Sequence, residues 1–167
     1  MMSAAVLTIS DGAHHGTRID TSGPAIASRL EAAGFTVVER KVVPDERDQI
    51  STQLRYLADL RLASVVFTTG GTGVAPRDVT PEATRDVIER EIPGFGELMR
   101  SEGRKSTPLA ALSRGGAFSR GAVLVVNLPG SPRGAVESLD AVADLIPHVV
   151  DLLHNRTEHR AKLSVPK

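Results

Sequence analysis

The chain has 167 residues, enough for one domain with a full core, and its 41% hydrophobic and 24% charged residues suit a globular protein. Lys and Arg together number 20, as do Asp and Glu, so no net field favours nucleic acid or an anionic membrane as the main partner. Cysteine is absent, which excludes disulfides, thiolate catalysis and Cys-type zinc sites. With no basic leader at the first residues and no apolar run long enough to span a membrane, a cytoplasmic protein is expected.

Residues 4–9 form a short apolar run that reads as a central strand. A long polar loop over 10–23 follows, and Pro24 opens a helix with buried stripe Ile26, Leu30 and Ala33 that stops at Gly34. Residues 35–43 alternate as a second strand, and the helix over 46–60 buries Ile50, Leu54 and Leu57. The β-branched run 63–67 is a third strand. It leads into Thr68-Thr69-Gly70-Gly71-Thr72-Gly73-Val74-Ala75-Pro76-Arg77-Asp78-Val79-Thr80-Pro81. Thr80 as N-cap and Pro81 at the first helical position start a helix running to about residue 90. A break at Pro93-Gly94 precedes a helix on which Glu97 and Arg100 are spaced to pair. Residues 107–117 show no period, and Ser113-Arg114 carries no pattern. A strand over 122–127 turns at Leu128-Pro129-Gly130-Ser131-Pro132 into one long helix, bent at Pro147, with stripe Val136, Leu139, Ala143, Ile146, Val150 and Leu153. The expected domain covers 1–154, with a loosely ordered tail over 155–167.

Four rounds of strand and helix predict an α/β fold, a mainly parallel sheet covered on both faces. Every strand-to-helix loop then lies at one edge, where ligands of such sheets bind. The glycine string is neither a P-loop, since Val74-Ala75 stand where Lys and Ser or Thr are needed, nor a dinucleotide fingerprint, whose third small residue falls on Pro76. Glycines that admit a ligand to backbone N–H groups, before a helix N-terminus, suit a phosphate. Asp45 and Asp78 end separate strands at the same edge, an arrangement suited to Mg²⁺ beside phosphate oxygens. Asp45 equally reads as an N-cap for the helix after it, and Asp78 as a turn residue or a partner of Arg77. Arg77 can bridge a phosphate. Asp11 and Asp20 either cap turns or read the amino edge of a base. His14 and His15, with no third ligand, read as solvated loop residues.

Residues 68–84, with Pro93-Gly94-Phe95-Gly96-Glu97 and Leu128-Pro129-Gly130-Ser131-Pro132, closely resemble the molybdopterin adenylyltransferase family, the MogA/MoaB type also seen in gephyrin and plant Cnx G domains. The resemblance runs from Ser10-Asp11 to about Leu153. It implies a three-layer α/β/α sandwich and Mg²⁺-dependent transfer of AMP from ATP to the terminal phosphate of molybdopterin, releasing pyrophosphate. It further implies homotrimers, in some members hexamers, and a separate molybdate-insertion enzyme as the downstream partner. Asp45 and Asp78 match the two essential acids and would hold Mg²⁺. Thr69, Gly70, Gly71, Thr72 and Gly73 match the nucleotide and phosphate loop, with Arg77 beside it. Ser113 matches a serine of the molybdopterin site. Ser10, Asp11, Asp20, Ser22, Gly23, Glu97, Pro129, Gly130 and Ser131 match other cleft positions. The chain departs from many members at the first loop, where Gly12 replaces an arginine and His14-His15 follow. A carrier of the same fold that binds molybdopterin without catalysis is the second reading, and a relative of the molybdate-insertion domain the third.

Overall fold

The computed structural model describes residues 2–156. Six strands, β1 (Met2–Ile9), β2 (Phe35–Val43), β3 (Val65–Thr69), β4 (Arg90–Ile92), β5 (Gly116–Arg120) and β6 (Val123–Leu128), form one sheet in the order β2-β1-β3-β6-β5-β4. The first four in that order run parallel, and β5 lies antiparallel between β6 and β4. Successive side chains of a strand face opposite ways, so β1 divides its residues between two cores. Ala4 and Val6 pack with Ile26 and Leu30 of α2 (Ser22–Ala32), Phe95 and Met99 of α5 (Pro93–Gly103), Leu139 of α6 (Pro132–Val142) and Ile146 of α7 (Ile146–Leu153). Ala5, Leu7 and Ile9 pack with Ile50, Leu54 and Leu57 of α3 (Arg47–Asp59) and Ala83 of α4 (Thr80–Arg85). This is the expected three-layer sandwich.

Several local expectations are corrected. The first loop contains a short helix, α1 (Asp11–His14), capped by Ser10, whose Oγ accepts from the Ala13 N–H. The next helix begins at Ser22 rather than Pro24, and Ala33 is its exposed C-cap, while Ala27 takes the buried place. Asp45 is no N-cap: Glu46 holds that position. Thr80 is already helical, with Val79 as N-cap, because its hydroxyl is spent backwards on Gly70 O at 2.9 Å. That helix ends at Arg85, since the chain turns to pair residues 90–92 with β5, a strand that starts at the end of the segment lacking a period. Arg100 does not pair with Glu97; its Nη1 donates to the carbonyls of Ser113 and Gly115. The long C-terminal helix is two helices. Pro147 lacks an N–H and its ring crowds the carbonyl four residues back, so helix stops at Val142 and restarts at Ile146. The tail expected over 155–167 lies, from 157 onward, outside the described residues.

The strand order reverses direction between β1 and β3. A crevice forms at such a switch point, outside the carboxyl ends of the strands. The loops after β1, β2, β3 and β6 all open there.

Candidate active site

The glycine loop is shaped by backbone constraints. Gly70 has φ +101°, and a Cβ on it would collide with the main-chain carbonyl of Ile9. Gly71 has φ +66°, and its Cβ would collide with Thr80 Oγ1 and stand 3.3 Å from Asp45 Oδ1. Both positions therefore need glycine, by conformation and by space. The loop closes on itself through Thr80 N–H to Gly71 O at 3.1 Å, and Thr69 Oγ1 donates to Pro129 O at 2.7 Å, joining it to the turn after β6.

Asp45 and Asp78 meet across this loop. Asp45 comes from the end of β2, and Asp78 Oδ2 accepts from Ala75 N–H at 2.9 Å and would stand 2.7 Å from a Cβ on Gly73. Asp45 is tied to Asp11 reciprocally: Asp11 N–H donates to Asp45 Oδ2 at 2.8 Å, and Asp45 N–H to Asp11 Oδ1 at 3.0 Å. Burial pushes the Asp45 carboxyl above the ordinary carboxylate range; the Asp11 N–H bond opposes this, and the charges of Asp11 and Asp78 add to it. Asp11 is held below its ordinary value, chiefly by the hydrogen bond from Arg77. Arg77 spends its fork on carboxylates, Nε to Asp11 at 2.6 Å and Nη2 to Glu46 at 2.9 Å, rather than pairing with Asp78. Its own acidity is weakened further by Asp11 and Glu46.

On the other side of the glycine loop lies a cavity of about 370 Å³ between α5, the 3-10 helix Pro108–Leu112 and the start of α6. Thr72, Gly73, Ser113, Pro129, Gly130 and Ser131 line it. Ser131 caps α6, its Oγ accepting from Gly134 N–H at 3.1 Å, so an 11-residue helix points its N-terminus at the cavity rim. Asp20, Ser22 and Gly23 group at the end of β1. Asp20 accepts from Thr8 Oγ1 at 2.9 Å and from Gly23 N–H at 3.0 Å, fixing the start of α2. Glu97 is exposed; it borders one shallow depression with Ile92, Gly94 and Leu98 and a second with Arg100, Ser113 and Arg114. His14 and His15 are exposed, with His15 Nδ1 2.8 Å from Asp11 O.

The sequence reading missed Arg114. Its backbone N–H donates to Thr72 O at 2.8 Å, Nε to Gly73 O at 2.8 Å and Nη2 to Asp78 O at 2.6 Å, while Nη1 pairs with Glu82. Three of its acceptors are main-chain carbonyls, which leave no trace in a sequence.

The description "probable molybdopterin binding domain" belongs to the family model that matches residues 5–148. A molybdopterin adenylyltransferase of Helicobacter pylori is 45% identical over 150 residues, covering 89% of this chain and 85% of that one. The Drosophila melanogaster molybdenum cofactor synthesis protein cinnamon is 44% identical over 149 residues, and there the match spans only 25% of the relative. Among solved structures, the molybdopterin biosynthesis enzyme MoaB of Thermus thermophilus superposes with a TM-score of 0.87 at 48% identity, covering 93% of this chain and 98% of its own.

Proposed function

The chain belongs to the probable molybdopterin binding domain family, and from that membership and the site we infer that it is a molybdopterin adenylyltransferase of molybdenum cofactor biosynthesis. In the reaction proposed, an ionised oxygen on the terminal phosphate of molybdopterin attacks the α-phosphorus of ATP. One P–O bond forms as the bridge between the α- and β-phosphates breaks, and pyrophosphate leaves with the electron pair. The attacking oxygen already carries charge, so the protein need supply no general base; its work is positioning and charge stabilisation.

The observation that carries this reading is the meeting of two carboxylates from separate strands over a glycine loop that also walls a 370 Å³ cavity. The cavity would take molybdopterin, with Ser113 and Ser131 as polar contacts and the α6 N-terminus favouring its phosphate. Gly71 and Gly73 would bring the loop amides against the nucleotide phosphates. The donor set fits Mg²⁺. Asp45 resists ionisation where it sits, so a cation there would supply counter-charge that Asp11 and Asp78 withhold. Among the described residues no three His, Asp or Glu side chains make a metal site by themselves. The phosphates would therefore complete the coordination, as is usual for this ion. When bound, Mg²⁺ would neutralise phosphate charge between Asp45 and Asp78.

Pyrophosphate release from Mg-ATP, with and without molybdopterin, tests the reading in the parent and in Asp45→Ala and Asp78→Ala. Release that needs molybdopterin and collapses in both variants supports it. Tight molybdopterin binding with no pyrophosphate makes the protein a carrier. A homotrimer belongs to the same proposal; light scattering should then give a particle of three 17.7 kDa chains. The product would pass to a molybdate-insertion enzyme.

A further inference from the structure

Two arginines join the cavity wall to the loop that bears Asp78. Arg100 of α5 donates from Nη1 to Ser113 O at 3.2 Å and Gly115 O at 3.0 Å, gripping the chain on either side of residue 114. Between those two carbonyls stands Arg114, whose guanidinium crosses to the opposite bank. It holds Gly73 O at the near end of the glycine loop, Asp78 O at the far end and Glu82 in the first turn of α4, while its backbone N–H holds Thr72 O. The stretch spanned between these anchors projects outward, with Val74 at 70% relative exposure. Ala75 and Asp78 bond each other within it and Arg77 ties it to Asp11 and Glu46, while Arg114 bonds both of its ends, Gly73 O and Asp78 O. Ser113, one residue before Arg114, lines the 370 Å³ cavity together with Arg100 itself.

We propose that Arg114 is a positioning residue that couples occupancy of the cavity to the placement of Asp78, so that molybdopterin and Mg-nucleotide each strengthen the other's binding. The inference rests on the adenylyltransferase reading for the identity of the two ligands. Its physical content is separate. A ligand that orders Ser113 restrains the segment 113–115, Arg114 transmits that restraint to three carbonyls of the loop, and Asp78 becomes fixed before the nucleotide arrives. Coupling of this kind is reciprocal by thermodynamic necessity.

The test measures the dissociation constant of molybdopterin with and without a non-hydrolysable Mg-ATP analogue, in the parent, Arg114→Met and Glu82→Gln. The expected parent value is tighter molybdopterin binding by about tenfold when the analogue is present, within the usual range for coupled sites. Arg114→Met should bring that ratio to about one, whereas loss of stability alone would leave it unchanged in the folded fraction. Glu82→Gln keeps every carbonyl contact and frees only one end of the guanidinium, so its ratio should fall between the two. This surface variant carries the test if Arg114→Met melts below the assay temperature. A parent ratio of one with normal pyrophosphate release overturns the coupling and leaves the enzyme reading intact. An unchanged ratio in Arg114→Met, or in Glu82→Gln where only that variant folds, also overturns it. A parent that binds molybdopterin but no nucleotide overturns the enzyme reading and this inference with it.

Discussion

Replacing Gly71 by alanine separates the strain built into the loop from the chemistry beside it. At φ +66° an alanine costs about 1–2 kcal/mol relative to glycine. The new methyl also enters the space of Thr80 Oγ1, which is fully buried and donates to Gly70 O at 2.9 Å. Displacing that hydroxyl leaves a buried donor and acceptor unpaired, worth about 1–3 kcal/mol. The sum is about 2–5 kcal/mol, a fall in Tm on the order of 10 °C for a domain of this size. Gly34→Ala is the control. Its φ is +86° and nothing lies within 4 Å of an added Cβ, so it should cost only the strain, about 1–2 kcal/mol.

Thr80→Ala gives the decisive comparison. Alone it removes the same hydrogen bond, at about 1–3 kcal/mol. In the double variant the collision is gone and the lost bond is counted once, so chemical denaturation should show the pair less unstable than the sum of the singles by about 1–3 kcal/mol. Additivity within about 0.5 kcal/mol would refute the argument, because it would mean that the methyl never displaces Thr80. Pyrophosphate release should fall about 100-fold in both Gly71→Ala and the double variant, since the methyl stands 3.3 Å from Asp45 Oδ1 whatever occupies position 80.

Asp45→Asn should raise stability at neutral pH while abolishing turnover. The Asp45 carboxyl is pushed up in the folded protein, so its contribution to stability is present below its unfolded pKa and is lost as pH rises through the folded value. The Tm difference, variant minus parent, should therefore grow from about pH 4 upward and then level off; a difference that stays constant with pH removes the claim. Asn127→Ala should cost about 2–4 kcal/mol in urea unfolding. Asn127 is fully buried, accepts from Thr68 Oγ1 at 2.9 Å and donates to Thr84 Oγ1 at 2.9 Å. A double-mutant cycle on Arg47 and Asp86, an exposed bidentate pair, should give only about 0.2–1 kcal/mol, fading with salt and with no effect on activity.

The legible parts of the fold are those where burial demands one kind of residue. β1, β3 and β6 are buried on both faces and read as apolar runs, and β2, half-exposed at the sheet edge, reads as alternation. β4 offers Arg90, Glu91 and Ile92, two of them exposed charges, so no apolar period announces a strand. β5 opens on Gly116 and Ala117, whose burial comes from small size and carries little hydrophobic signal. The glycine loop was legible for a different reason. Gly70 and Gly71 occupy a backbone region that other residues seldom enter, so the need shows as composition. Arg114 shows the opposite case. It grips carbonyls, and any sequence supplies carbonyls, so only the folded chain reveals which arginine has found them.

The strand order explains why two carboxylates that repel each other share a site. β2 delivers Asp45 and the loop after β3 delivers Asp78, with β1 between those two strands. The residue at the end of the intervening strand is therefore placed to mediate, and Asp11 does so, exchanging backbone N–H bonds with Asp45 on one side and taking the Arg77 guanidinium on the other. The hydrogen bond from Arg77 lowers the carboxyl of Asp11, whereas burial, helped by the charges of Asp11 and Asp78, keeps that of Asp45 raised. The fold thus concentrates its electrostatic cost on one side chain. That side chain faces the glycine loop, where a cation carried in with the phosphates would relieve it.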